Sequence, residues 1–245
     1  MRKFIPSRAA ALAGKEFYQY LRMPSFYGIV VFFLVFCSAW LFYFQQYFSM
    51  NQATLRPYFI IFPIAYIFII PVITMKSWAE ERKTGTVETL LTMPFTEWDL
   101  ALGKFFACFG VLAIAILLTV PLPLSLLGLG NFDAGVIFCE YLGALLLGAS
   151  AVSLGLLLSS LSKSQAGSFL CCAVVLIFVT LIDSIIFMLN LPKWAYSFFG
   201  FFSLSRHFES FSKGLLDSRD LLFFIVSALL FLFLNTRVIL FRKWK

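Results

Sequence analysis

Six apolar runs, each close to the length needed to cross a bilayer, leave this chain few ways to fold. They cover residues 26–48, 58–78, 105–127, 136–161, 166–189 and 221–240. A helix needs about 20 mostly apolar residues to span the hydrocarbon core, and in lipid every backbone polar group must be satisfied internally. A bundle of six transmembrane helices is therefore expected. Composition supports this, with 61% hydrophobic and 13% charged residues. A soluble domain carries roughly twice that charge. The length suits a single membrane domain over residues 1–245.

The net charge of +7 lies between the apolar runs and at the termini. That is topology information and not a nucleic-acid footprint. With the N-terminus placed inside, fourteen Lys and Arg fall on inner segments and five on outer ones. The positive-inside rule then puts both termini and the 76–104 loop in the cytoplasm. The first apolar run is too long for a signal h-region and no A-x-A site follows it, so no cleavable leader is expected. Cys37, Cys108, Cys139, Cys171 and Cys172 show no C-x-x-C or metal-ligand spacing, and read as small buried hydrophobes.

Local patterns refine the picture. Residues 1–24 contain an amphipathic stretch, RAAALAGKEFYQYLR, expected to lie as an interfacial helix before the first span. Pro63 and Pro71 predict kinks in the second span, and Pro121 and Pro123 bend the far end of the third. The fourth is rich in Gly, Ala and Ser, which lets helices approach closely, so it should sit inside the bundle. Residues 190–220 are aromatic and read as an outer interfacial or re-entrant loop with short helices.

The polar stretch from Pro71 to Lys104 is the most structured interruption. Thr86 reads as an N-cap ahead of Val87, Leu90 and Leu91 at helical spacing, with Glu88 in the first turn and Pro94 as the stop. Thr96-Glu97-Trp98-Asp99 then reads as a capping box opening a helix that runs into the third span. Read from the residues, this is either a solvated loop with an interfacial helix, or a rigid lever joined to two spans.

The run MKSWAEERKTGTVETLLTMP resembles the signature of ABC-2 type transporter permeases. It is most similar to the gliding-motility-associated branch, as is the tail from Ser205 through His207, Phe208 and Phe211 to Asp217-Ser218-Arg219-Asp220. Val72 and Lys76 depart mildly from that pattern. The resemblance implies a coupling helix gripped by two cytoplasmic ABC ATPase subunits, with a second permease copy or a related permease beside it. It places the ATPase-coupling role on Glu80, Glu81, Arg82, Gly85, Thr86, Glu88, Leu90 and Leu91. It also implies a bacterial cytoplasmic membrane and a membrane-anchored partner with an extracytoplasmic domain. ATP and magnesium would belong to the partner ATPase. This chain has no G-x-x-x-x-G-K-[ST] and is expected to bind no cofactor and catalyse nothing itself.

Two acids stand apart. Asp183 lies within the fifth span, a position that by default raises a substrate path or intramembrane pairing. Glu140 raises the same question, although its place near the start of the fourth span favours an outer-interface position. His207, the only histidine, reads as structural. An ion-coupled carrier working without an ATPase is the alternative reading, but no internal repeat supports it. An intramembrane enzyme would need more clustered ionisable groups than these.

Overall fold

The computed structural model describes residues 6–49, 54–85, 95–126, 128, 130, 132–188 and 199–243. Among them the chain is helical, with no strand. Six helical stretches are long and apolar enough to cross a membrane: Pro24–Ser49, Arg56–Lys83, Glu97–Leu126, Ala134–Leu161, Gln165–Ile186 and Ser218–Phe241. The protein is thus a multi-pass membrane protein, and these are called the first to sixth spans. The N-terminal helix Pro6–Arg22 precedes them, and the short helix Leu204–Ser212 stands between the last two.

Burial divides the spans. In the second and fourth, 72% and 67% of the apolar window is buried, against 28% in the first and fifth. The second and fourth are the core, and the others wrap them with lipid-facing side chains such as Val35, Val174 and Leu229. Small residues produce this arrangement. A Cβ added at Gly143 would lie 2.5 Å from Phe211, one at Gly155 would lie 2.6 Å from Thr74, and one at Gly148 would run into Leu112. Three glycines along one helix thus admit the short helix, the second span and the third span. Tyr66 also donates to the Ala144 carbonyl at 3.0 Å.

Interruptions in the helices lie near the prolines. The second span is broken at Ile60–Ile61, just before Pro63, and its regular helix ends at Thr74, one turn after Pro71. The third span's main helix ends at Leu117 and resumes at Pro121. The N-terminal helix packs along the third span, with Leu12 against Gly103 and Phe17 against Gly110. Four cysteines are buried, but Cys171 is exposed. It neighbours Cys172 on a helix, so the two point about 100° apart, and here Cys172 faces the bundle.

Candidate functional site

The helix of the third span begins as the sequence predicts. Thr96 accepts from the Asp99 backbone N–H at 3.1 Å, and Asp99 accepts from the Thr96 N–H at 2.8 Å. This capping box fixes the entry of the chain into the span. Beyond the cap stands Lys104, a cation followed by an apolar run, only 1% exposed.

Lys104 gathers three elements. Its ammonium donates to Glu16 of the N-terminal helix at 2.7 Å, to Glu81 at the end of the second span at 2.7 Å, and to the Ser77 carbonyl at 2.9 Å. It also lies 4.7 Å from the centre of the Trp78 ring. An ammonium has three donors, and all three are used. Close by, Tyr20 donates to the Ile73 carbonyl at 2.9 Å. Burial pushes its phenol well above the ordinary range, so it remains a donor at physiological pH.

The same end of the second span is tied elsewhere. Arg82 donates to the Ser162 carbonyl between the fourth and fifth spans, and the Trp78 N–H donates to Ser159 at 3.3 Å. Lys76 donates to Ser25 at the start of the first span at 3.0 Å. Glu80 is half-buried on the same turn. The helix Ala79–Lys83 ends at Gly85, whose φ of 72° is a left-handed value that a side chain would strain. Both stems of the segment 86–94 are thereby fixed. Thr86, Glu88, Leu90 and Leu91, together with the N-cap and stop read at Thr86 and Pro94, lie outside the described residues.

Of the predicted coupling residues, Glu81 joins the Lys104 junction, Arg82 is tied to Ser162, and Gly85 follows the same short helix. Sequence reasoning missed the junction's two other charged members, Glu16 and Lys104. One signal was available for Lys104: an ionisable residue inside an apolar helix. None was available for Glu16, which lies 88 residues away.

The opposite end is built differently. Glu140 is fully buried, and neither carboxylate oxygen has a hydrogen bond. The helix starts at Ala134, so Glu140 lies nearly two turns inside it. The short helix Leu204–Ser212 is packed against the same span. Arg56 is the cation acting on Glu140, but it reaches Glu209 instead, at 3.5 Å. Asp183 stands beside Gly200, where a Cβ would meet both Asp183 and Arg206, and its Oδ1 is buried without a hydrogen bond. His207 is structural: it bonds Asp220 at 2.6 Å and the Phe201 carbonyl at 2.9 Å, and stacks on Phe223.

This architecture can be set beside known sequences. The profile described as "ABC-2 family transporter protein" matches residues 10–200. The chain belongs to the ABC-2 family. It is also similar to the "Probable multidrug ABC transporter permease YbhR" of Escherichia coli strain K12, at 28% identity over 143 residues. The protein of that name from Escherichia coli O157:H7 aligns with the same figures. The alignment covers 58% of this ABC-2 chain and 38% of each relative, well under half of their length.

Proposed function

We propose that this chain is the permease subunit of an ATP-driven ABC-2 transporter, and that it receives mechanical work from a separate cytoplasmic ATPase through the segment 86–94. The observation that carries the proposal is the Lys104 junction. One buried cation joins the N-terminal helix to both stems of that segment, so force applied there reaches the first three spans together. Leu90 and Leu91 would seat in a groove of the ATPase, an arrangement that suits an amphipathic helix.

The rest of the reading follows from this assignment. Two ATPase subunits carry the ATP and magnesium, two permease copies or related permeases pair in a bacterial cytoplasmic membrane, and the 76–104 face lies in the cytoplasm. The YbhR name and family membership support export of a substrate. The runs at 70–94 and 205–220 support the gliding-motility-associated branch, with an outer-face partner on which work could be done.

The test is affinity purification of the tagged full chain in mild detergent. A co-eluting protein with G-x-x-x-x-G-K-[ST] is expected. Glu81→Lys with Leu91→Asp should lower its recovery roughly ten-fold, the effect of losing about 1.4 kcal/mol of binding. Absence of any such ATPase, or recovery unchanged by the double variant, would overturn the proposal. The unpartnered Glu140 favours one other reading, a proton-coupled carrier. Transport that survives ATP depletion but stops with a protonophore would select it.

A further inference from the structure

His207 is held on both edges of its ring. Nδ1 lies 2.6 Å from a carboxylate oxygen of Asp220, at the start of the sixth span, and Nε2 lies 2.9 Å from the Phe201 carbonyl. The side chains of His207 and Asp220 are each only 12% exposed. The ring stacks on Phe223, with centroids 3.9 Å apart and planes 18° from parallel, and Phe201 meets Phe223 edge-on. One side chain thus ties three pieces together: the turn at Phe201, the short helix Leu204–Ser212, and the sixth span. Phe201, His207, Asp220 and Phe223 also form part of the wall of a cleft of about 920 Å³ between the fourth and sixth spans.

The two bonds together require two protons. A carbonyl oxygen only accepts, so Nε2 carries hydrogen. A second proton lies between Nδ1 and the Asp220 oxygen, because two bare lone pairs would repel at that distance. Asp220 stands in the first turn of its helix, where negative charge is favoured. The arrangement is therefore an imidazolium on a carboxylate. A neutral imidazole has one N–H and keeps only one of the two bonds. The bond to an ionised carboxylate is charge-assisted and the stronger of the two, so the remaining hydrogen goes to Nδ1. Nε2 then turns a lone pair toward the Phe201 carbonyl, and that bond is lost.

Other ionisable groups surround the ring without bonding it. Arg206, Asp217 and Arg219 share its cleft. Glu209 on the same helix pairs with Lys213 and with Arg56 of the second span. Asp183 of the fifth span stands with Arg206 beside Gly200. The second and fourth spans, also packed on this helix, bring Tyr66, Cys139, Glu140 and Tyr141. We propose that His207 and Asp220 form a proton-operated latch: with the proton bound, the turn at Phe201 is held against the sixth span, and loss of the proton frees that turn at the wall of the cleft. The sign is set by the donor count, closed at low pH and released as pH rises. Histidine is the side chain whose charge ordinarily changes between about pH 5 and 8. Nothing in the latch requires the ATPase-coupling role.

His207 is the only histidine of the chain, so nitrogen-15 labelling of histidine in the full protein reports on this ring alone. Magnetic resonance in detergent should show both ring nitrogens protonated near about pH 5 and hydrogen on Nδ1 near about pH 9. The amides of Phe202 and Ser203 bond back across the Phe201 turn. Their hydrogen-exchange protection, corrected for the intrinsic effect of pH, should fall up to roughly ten-fold over the same range. Asp220→Asn gives the sharper result. Its amide donates to Nδ1 of a neutral ring, Nε2 keeps its hydrogen, and the latch should stay closed at both ends of the range. His207→Gln should abolish the pH response of the two amides. A ring that stays neutral throughout, amides indifferent to pH in the parent chain, an Asp220→Asn chain that responds as the parent does, or a response that survives His207→Gln would each overturn the latch. Because the readouts come from the isolated chain, their failure is distinct from failure to capture an ATPase.

Discussion

The two ends of this bundle bury charge in opposite ways. At the 76–104 end, Lys104 is shut away from solvent and each of its donors has an acceptor. At the other end, Glu140 is equally enclosed and has none, while the Nε of Arg56 is also buried without an acceptor. Burying an ion is costly, and only close partners with good geometry offset that cost. The first end is thus a joint that resists rearrangement. The second encloses an acid that has no hydrogen-bonding partner, while Arg56 pairs with Glu209. Under the proposed function, the first end would receive the force and the second would be the yielding end.

The strongest way to break the comparison is Lys104→Met. It would leave Glu16 and Glu81 enclosed without their shared cation. The expected loss is roughly 3–5 kcal/mol, the usual consequence of removing one partner from a buried ion pair. Thermal unfolding in detergent measures it. Adding Glu16→Gln and Glu81→Gln to the same variant should recover much of the loss, because the orphaned charges are then gone. A loss below about 1 kcal/mol would mean the charges are solvated, and the contrast in stiffness would fail.

A matched pair of substitutions sharpens it next. Glu140→Gln removes a charge that gains no hydrogen bond, so stability should hold or rise by about 1–3 kcal/mol. Glu81→Gln removes a charge that does gain one, and stability should fall by a similar amount. The chemical change is identical and the sign should differ. Equal losses at both positions would erase the distinction between the ends.

Much of this was legible in the chain itself. The six spans follow from run length, and the capping box at Thr96 and Asp99 from four consecutive residues. The central place of the fourth span follows from its glycines, since a small residue predicts close approach whatever the neighbour. The pairing of Lys104 with Glu16 was not legible, because spacing along a helix says nothing about which other helix lies against it. The enclosure of Glu140 was not legible for a related reason. Nearness to the end of an apolar run suggests an interface, but exposure there depends on what covers the helix end, and Phe211 of the short helix packs directly on Gly143 one turn away. Cys171 shows the same limit in reverse: it lies beside Cys172 in one apolar run, and only the packing says that it is exposed and Cys172 buried.

The smallest expected effect separates two accounts of Arg56. Glu209 pairs with it at 3.5 Å and with Lys213 at 2.8 Å, and the side chains are 41–51% exposed. Pairs of this kind contribute about 0.2–1 kcal/mol, so Glu209→Gln alone should cost less than roughly 1 kcal/mol and less still at high salt. Lys213 would remain beside the new amide in either account. The informative measurement is the double variant Glu140→Gln with Glu209→Gln. If Arg56 serves as a shared cation, able to turn from one acid to the other, removing both acids strands it. The combined change should then be less favourable than the sum of the single changes by about 0.5 kcal/mol or more. Additive effects would mean that Arg56 answers only to Glu209, and that the yielding end of the bundle does not rearrange through this residue.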